Sequence, residues 1–355
     1  MKRIRIIADK AADTSLVLLA GAHLMVLAVF LATLIAATSQ ARGDEMPECK
    51  GQDIVAELAR DDPALLRTIK AEAAETQNGQ GLLWKIERDG MAPSFLFGTM
   101  HMTDPRVTEL TPEAKGAFDA SSTVVIETTD VLDETKAMAA MLAKPELMLF
   151  TDGTKWPSLL SDEDRALATK ALAERGIPIQ TVQTMKPWIL SAMVALPACE
   201  IARKTGGAPV LDIKLAQDAE ANGKAVAGLE TVGEQLEAMA SLPLEFHLEG
   251  LVETLRLGDR IDDVIETMIV LYEHADTGTL WPLFRAVLPP SDGGESYAAF
   301  EKAMITSRNA VMAERALPMI EKGSAFIAVG ALHLPGPDGL VEKFRDNGYT
   351  VTRAD

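Results

Sequence analysis

Two histidines that lie far apart in the chain share one local pattern. Each follows an apolar run and stands three residues after a glycine: Gly98 precedes His101 in SFLFGTMHMTDP, and Gly330 precedes His333 in AFIAVGALHLPGP. Each run is typical of a strand that carries an imidazole at its tip, and ligands bind at this rim of α/β sheets. Glycine at this spacing lets another backbone or a ligand approach closely. We expect the two imidazoles to share one cleft if the two strands lie side by side.

A carboxylate ends a third apolar run, because Glu127 closes the segment VVIE. Two histidines and one carboxylate suffice to hold a catalytic divalent metal and leave a position open for water. Such a metal brings the pKa of its water to ~7 and so produces hydroxide at neutral pH. Glu127 is either the third ligand or the base that takes a proton from the water. The competing interpretation is that both histidines are hydrogen-bonded structural residues.

The elements that must position these residues alternate between strands and helices. A hairpin is predicted around Asp89-Gly90, a helix from Thr111, a strand that ends at Glu127, and one long amphipathic helix over residues 296–323. The chain from about 132 to 278 is mostly helical in pattern, with a predicted strand at KAVAGLE. We therefore expect an α/β fold: a central mixed sheet flanked by helices, with a large helical insertion between the two strand–GxxH halves.

The first 41 residues have the features of an export segment. Four basic residues precede an apolar stretch from about 16 to 37, and Ser39-Gln-Ala41 offers small residues to an export peptidase. The stretch is also close to the ~20 residues that span a bilayer. We predict a cleaved signal peptide or an uncleaved membrane anchor at 1–41, which would be the membrane contact, and one domain at 42–355. Both alternatives place that domain outside the cytoplasm.

Charge, cysteines and missing motifs exclude several classes of protein. The net charge of −18 argues against nucleic acid as a partner, because phosphate binding needs clustered Lys and Arg. Cys49 and Cys199 are either a disulfide in an oxidising compartment or two buried thiols. The sequence contains no CxxC pair, which argues against a thiol redox enzyme or a zinc finger. The sequence also has no HExxH helix, GxSxG elbow or GxxxxGK[ST] loop. A hydrolase site would therefore have to be assembled from strand ends.

The sequence resembles the TraB/GumN family, which includes the Tiki metalloproteases and is related to erythromycin-esterase and ChaN-like proteins. The likeness covers most of the chain after residue 41. It is carried by FLFGTMHMTDPRV, VVIE, LDIKLAQDAEANGKAVAGLETVGEQL, WPLF, SRNAVMAERALPMIEKGSAFIAVGALHLPGPDGL and the closing GYTV, with an early cysteine in CKGQDIVAEL. The resemblance implies a metal-dependent hydrolase fold that favours manganese or cobalt, and zinc also suits such ligands.

Carried over to this chain, the resemblance implies that His101, His333 and Glu127 form the metal site and that Arg308 is the family arginine. Arg308 would stabilise a developing oxyanion, and its competing interpretation is an ion-paired arginine on a helix surface. Asp212 and Glu230 fall at family-typical positions. Asp212 is a second ligand or a helix-start carboxylate.

Glu230 directly precedes the predicted N-cap Thr231, so the competing interpretation for this residue is a capping role.

We expect an exported metal-dependent hydrolase that acts on a peptide or a small carbonyl compound, most simply on a peptide bond. Two alternatives remain at this point. One is a metal-free esterase in which a histidine is the general base. The other is a protein without catalytic activity that binds and sequesters a peptide. The sequence does not indicate the oligomeric state.

Overall fold

A computed structural model describes residues 49–287 and 295–355. Within these residues six strands form one mixed sheet in the order β4-β3-β5-β2-β1-β6. Their bounds are β1 Leu83–Glu87, β2 Ser94–Thr99, β3 Thr123–Ile126, β4 Ala225–Gly228, β5 Ala325–Gly330 and β6 Thr350–Arg353. The predicted α/β fold with a central mixed sheet is confirmed. The segment predicted as signal peptide or anchor at 1–41 lies outside the described residues.

The strands that precede the two histidines are direct neighbours in the sheet. β2 and β5 are parallel, with Gly98 opposite Val329 and Thr99 opposite Gly330. β3 and β4 continue the parallel part beyond β5, whereas β1 pairs antiparallel with β2 and with β6. β5 is apolar and almost wholly buried, as expected of a central parallel strand covered on both faces. The predicted hairpin turns at Gly90, whose φ of +80° suits glycine.

Helices cover the sheet and predominate between β3 and β5. The helices before β3 are α1 Ile54–Asp61, α2 Pro63–Ala74, α3 Pro105–Thr108 and α4 Pro112–Ala120. Those between β3 and β4 are α5 Glu134–Ala143, α6 Asp162–Glu174, α7 Ile179–Val182, α8 Pro187–Val194, α9 Ala198–Thr205 and α10 Leu211–Ala221. After β4 come α11 Val232–Ala240, α12 Leu244–Leu257, α13 Arg260–Glu273, α14 Leu280–Val287, α15 Glu295–Glu301, α16 Ser307–Ile320 and α17 Leu340–Asp346.

The helix starts follow the side chains that the sequence indicated. The hydroxyl oxygens of Thr111 and Thr231 each accept a hydrogen bond from the backbone N–H three residues later, and Glu234 completes a capping box with Thr231. The long helix predicted over 296–323 differs from the prediction in one respect. A π-helical turn at Lys302–Thr306 separates α15 from α16. Such turns insert a residue into the helical ladder and are frequent at functional sites.

The apolar core lies on both faces of the sheet. On one face Phe97, Phe118 and Phe326 pack together under α4 and α10. On the other face Ile327 and Phe344 belong to a cluster that includes side chains of α16 and α17. A further apolar cluster among α6, α8 and α12 surrounds the fully buried Trp156. This cluster is a separate helical core away from the sheet.

Cys49 and Cys199 form a disulfide, with their Cα atoms 5.3 Å apart. Of the two alternatives that the sequence left open, the structure therefore has the disulfide. It joins the chain just before α1 to α9 across a sequence separation of 150 residues. In the two described stretches, no helix is long and apolar enough to cross a membrane.

Candidate active site

Three parallel strands bring His101, His333 and Glu127 to one edge of the sheet. Glu127 directly follows β3, His101 lies two residues beyond β2, and His333 ends the 3-10 turn after β5. The Nε2 atoms of His101 and His333 lie 3.9 and 3.8 Å from the same atom, Oε1 of Glu127. The strand ends therefore converge as the spacing of the motifs predicted, because β2 and β3 flank β5 and run in the same direction.

The motif glycines keep two narrow spaces open. A Cβ at Gly98 would lie 3.0 Å from Ala331 Cα and 3.1 Å from a Leu334 methyl carbon, so glycine lets the two turns pack together. A Cβ at Gly330 would lie 3.2 Å from Glu127 Oε1 and 4.0 Å from His101 Nε2. Gly330 therefore preserves the space that the two imidazoles and the carboxylate share.

Asp212, in the first turn of α10, fixes the ring of His101. Its Oδ2 lies 2.7 Å from His101 Nδ1, and its Oδ1 accepts a hydrogen bond of 2.6 Å from the hydroxyl of Thr99. Partial burial of the imidazole lowers its pKa, but Asp212 and Glu127 raise it more, to about 9. The side chain of His101 is 60% exposed, so the site opens to solvent on this side. Asp212 thus holds the ring by the nitrogen that is not turned toward Glu127.

Asn309 fixes the ring of His333 in the same way. Its amide nitrogen donates to the carbonyl oxygens of His333 and Asp338, so its Oδ1 is the acceptor for His333 Nδ1–H at 2.7 Å. Because Nδ1 carries the proton, Nε2 of His333 keeps its lone pair. Burial lowers the pKa of His333 to about 4, and Arg308 contributes to the lowering. This imidazole is therefore neutral at pH 7.

Glu127 is a buried anion with both oxygens hydrogen-bonded. Oε1 accepts from the backbone N–H of Gly330 at 2.8 Å, and Oε2 accepts from Arg308 at 2.6 Å and from Gln235 at 3.0 Å. Burial raises the pKa of Glu127, but the two histidines, Arg308 and the Gly330 amide lower it more, to about 2.

Arg308 has an acceptor for each of its five N–H groups. Nε donates to Glu230, Nη2 donates at 2.6 Å to both Glu127 and Glu230, and Nη1 donates to Met304 O at 3.1 Å and to His333 Nε2 at 3.3 Å. The residue is an ion-paired arginine as the competing interpretation held, but it lies at the candidate site and not on a helix surface. In this arrangement no donor of Arg308 is left for an oxyanion.

The structure shows the contacts of Glu230 and Asp212, two residues for which the sequence left alternative roles open. Glu230 is buried and pairs with Arg308, whereas the helix cap is made by Thr231 and Glu234. A capping role for Glu230 is therefore wrong. Asp212 does start a helix, and it contacts His101 through Nδ1, which is the position of a residue that orients a ligand and not of a ligand itself.

Sequence reasoning missed Asn309, Thr99 and Gln235, which hold the site together. Asn309 directly follows Arg308, and Thr99 lies within the first GxxH motif, so the sequence positions of both residues could have indicated a role at the site. The position of Gln235 gave no such indication, because its contact with Glu127 depends on how α11 packs beside β3.

The donor atoms fit a divalent metal in type, and both imidazoles are held by their Nδ1 atoms. Metal-binding histidines usually donate their other N–H to a carboxylate or a carbonyl oxygen, as His101 and His333 do here. The space kept free by Gly330 lies among the three side chains. As they stand, however, no three His, Cys, Asp or Glu side chains of residues 49–287 and 295–355 are arranged to hold a metal. Arg308 contacts His333 Nε2, so metal binding requires this contact to open.

Comparison with known proteins gives relatives over most of the chain. The chain is 28% identical to metalloprotease TIKI1 of Danio rerio, and the match covers 76% of this chain and 62% of that protein. It is 26% identical to metalloprotease TIKI2 of Xenopus tropicalis over 76% of this chain and 59% of that protein, and 24% identical to a metalloprotease TIKI homolog of Nematostella vectensis over 79% and 68%. The chain thus spans about three fifths of the first two of these relatives. No solved structure matches it.

The profile of the TraB/PrgY/gumN family matches residues 82–353, from just before β1 to the end of β6. This range includes both GxxH motifs, Glu127 and Arg308, so the matched region and the candidate site coincide. The chain belongs to the TraB/PrgY/gumN family.

Proposed function

We propose that this protein is an exported, metal-dependent hydrolase that cleaves peptide bonds. One observation carries the proposal: the Nε2 atoms of His101 and His333 face the same oxygen of Glu127, while Asp212 and Asn309 hold their Nδ1 atoms. The relatives named metalloproteases support it. The disulfide supports export, because disulfides persist in oxidising compartments. We retain the proposal that residues 1–41 direct export or anchor the chain and that 42–355 form the working domain.

His101, His333 and Glu127 would hold the metal. Mixed nitrogen and oxygen ligands suit manganese, cobalt and zinc alike, and the family resemblance favours the first two. When bound, the cation supplies Lewis-acid activation of water and polarisation of the scissile carbonyl.

The protein's own residues prepare the imidazoles for this role. Asp212 and Asn309 accept hydrogen bonds from the Nδ1–H groups, so Nε2 is the ligand atom of each ring once that ring is neutral. His333 is already neutral at pH 7 because its pKa is about 4. His101 must lose a proton, since its pKa is about 9 without a metal.

Glu127 suits a ligand better than a base. A general base works best with a pKa near the working pH, and the pKa of Glu127 is about 2. Its buried negative charge would also balance a cation between the imidazoles.

Arg308 would act on the oxyanion only after its contact with His333 opens. Nη1 donates to His333 Nε2 at 3.3 Å, and this N–H loses its acceptor when Nε2 binds a cation. The released N–H would then be available for the oxygen that becomes negative in the transition state. Glu230 would keep the guanidinium in place, because it accepts from Nε and Nη2.

Metal analysis of the purified full-length chain tests the proposal, with wild type beside a His101→Ala, His333→Ala double variant. His274→Ala is a control variant, because His274 is exposed at the end of α13. We expect near-stoichiometric manganese or cobalt in the wild type and the control, and little in the double variant. Equal metal in all three would contradict the ligand assignment.

Hydrolysis is tested with a mixture of peptides whose products are identified by mass spectrometry. Cleavage should stop on chelation and return with Mn²⁺ or Co²⁺. Cleavage that persists after chelation would indicate the metal-free esterase-type mechanism. Binding without any cleavage under these conditions would indicate a sequestering protein.

A further inference from the structure

A large groove lies beside the candidate site and is not part of it. It has a volume of about 960 Å³, within the usual range for ligand pockets. Its lining includes residues of α12, α14 and α15 and the start of α6. The aromatic part of the lining consists of half-buried side chains: Phe246, Trp281, Phe284, Tyr297 and Phe300.

These aromatic rings form a connected surface. Phe300 stacks on Phe246 at 6.0 Å between ring centroids and meets Trp281 edge to face at 6.0 Å. Trp281 also contacts Tyr297 and Phe284, each at 6.3 Å. Half-buried rings that line a wide groove can accept aliphatic and aromatic side chains, and the faces of Trp and Tyr also attract cations.

The lining of the groove is negatively charged. Among the residues that the structure describes, four carboxylates and one guanidinium line it. The guanidinium is that of Arg256, which donates hydrogen bonds to Asp164 and Glu253. Glu245, Glu249 and Glu253 are spaced four residues apart, so they lie along one face of α12. Apolar rings with acidic neighbours favour an occupant that combines apolar and basic side chains.

Two chain segments connect the groove with the candidate site. Leu332 lines the groove and directly precedes His333. Phe300, at the groove, is followed by the π-helical turn and by Arg308. These eight residues span at most about 12 Å, because the π-helical turn rises less per residue than an α-helix, and an extended peptide crosses this distance in about four residues.

We propose that this groove binds an apolar, lysine- or arginine-containing segment of a peptide substrate, within about four residues of the bond that is cut. This inference rests on the proposed peptidase function and adds the substrate class to it. Attraction between the basic segment and the acidic lining would weaken as salt rises, whereas the contact with the aromatic rings would persist.

Binding is measured by fluorescence anisotropy on the full-length chain that carries His101→Ala and His333→Ala, so that the probe stays intact. The probe is a fluorescein-labelled peptide with leucine, phenylalanine and lysine at its centre and glycine–serine arms on both sides. One matched peptide replaces lysine by glutamate, and another replaces the apolar residues by serine. We expect only the first peptide to bind well.

Charge reversal then locates the binding site. Adding Glu245→Lys and Glu253→Lys should weaken binding about tenfold. The control adds Glu75→Lys and Glu220→Lys, two exposed carboxylates that do not line the groove, and should leave the dissociation constant unchanged. Phe300→Ala should weaken binding at high salt as well.

The outcomes separate this inference from the proposed function. The proposal that the groove binds such a segment is wrong if the groove and control variants bind the peptide equally, or if all three peptides bind equally. It is also wrong if light scattering shows a dimer that the groove variants dissociate, because the occupant is then a second copy of the chain. If the peptide binds in the groove but the wild-type chain with Mn²⁺ does not cut it, the groove stands and hydrolysis fails. If the groove substitutions do not change the rate of peptide cleavage, the proposed hydrolase function stands and peptide binding by the groove is wrong.

Discussion

Asp212 holds His101 by the ring nitrogen that faces away from Glu127. Its Oδ2 lies 2.7 Å from Nδ1, whereas Nε2 lies 3.9 Å from Glu127 Oε1. A carboxylate at Nδ1 both orients the ring and makes Nε2 a stronger ligand. The same contact stabilises the protonated ring when no metal is bound, so Asp212 favours two different states of one histidine.

Replacing this carboxylate should lower the pKa of His101. In the metal-free chain the pKa is about 9 because Asp212 and Glu127 outweigh desolvation. Asp212→Asn keeps the shape of the side chain and removes its charge, so we expect the pKa to fall from about 9 toward the ordinary 6.5. An NMR titration of the histidine C–H signals measures it. Asp218→Asn, on the same helix, is the control and should leave the midpoint in place.

The sign of the accompanying effect on stability follows from the raised pKa. The His101–Asp212 pair stabilises the metal-free fold fully below pH 6.5, and this contribution is lost as the pH rises through about 9. The wild type should therefore lose stability over this interval, and Asp212→Asn should not. A parallel loss in both proteins would assign the effect to another group.

A methyl group at Gly330 should block metal binding. The Cβ of Gly330→Ala would lie 3.2 Å from Glu127 Oε1, so this carboxylate must shift by a few tenths of an ångström, and the methyl group would also fill the space beside His333 Cδ2 at 3.4 Å. We expect metal content and peptide cleavage to fall at least tenfold, with a loss of roughly 1–3 kcal/mol in the free energy of unfolding.

Gly116→Ala is the matched control for this change. Gly116 lies in α4, and a Cβ there would meet no atom of the described residues within 4 Å apart from its chain neighbours and its own helix backbone. Alanine should stabilise this helix by about 0.4–1 kcal/mol and leave metal binding unchanged. Normal metal binding by Gly330→Ala would mean that the space beside Gly330 is not the metal position.

Asn309 should matter for stability as well as for activity. It is fully buried and bonds the His333 ring and two backbone carbonyls. Asn309→Leu leaves the Nδ1–H of a buried imidazole without a partner, which costs about 1–3 kcal/mol in the free energy of unfolding. Urea unfolding measures this loss. Asn222→Ala, at the exposed end of α10, should change stability by no more than about 0.5 kcal/mol.

A conservative variant separates the loss of stability from the loss of metal binding. Asn309→Asp offers Nδ1 the same acceptor geometry with a charge, so it should retain metal binding better than Asn309→Leu at similar stability. If both variants bind metal as well as the wild type, Asn309 has only a structural role.

The convergence of His101, His333 and Glu127 was predictable because each ends an apolar strand. The strands of parallel sheets are buried on both faces and so form continuous apolar runs, and they present their carboxyl ends at one edge. Local pattern therefore determined the place of these three residues. The helix starts at Thr111 and Thr231 were predictable for a similar reason, since a cap depends on side chains within one turn.

The remaining contacts depend on tertiary packing that no local pattern records. Whether Asp212 meets Nδ1 or Nε2 of His101 depends on the rotation of one ring beside α10. The pairing of Arg308 with Glu230 depends on the π-helical turn before α16, which ordinary helical periodicity does not indicate. The state of Cys49 and Cys199 depends on a separation of 5.3 Å between two Cα atoms that are distant in sequence.

Removing Arg308 should destabilise the protein more than any other single change considered above. Its guanidinium is paired with Glu127 and Glu230, and both carboxylates are buried. Arg308→Met leaves two close negative charges without their cation, and breaking a buried pair costs roughly 3–5 kcal/mol. Because the pKa of Glu127 is lowered to about 2, its contribution to stability is present above pH 4.5 and is lost as the pH falls through 2. In Arg308→Met this acid transition should move to higher pH.

A second substitution tests the cause of this loss. If uncompensated charge destabilises Arg308→Met, then Glu230→Gln in the same chain should restore part of the lost free energy, although Glu230→Gln alone destabilises the wild type. Such a non-additive pair of effects is measured by urea unfolding of the two single variants and the double variant at pH 7. Additive losses would show that Arg308 contributes by packing alone. Its pairing with the two carboxylates would then have no part in organising the strand ends that carry His101 and His333.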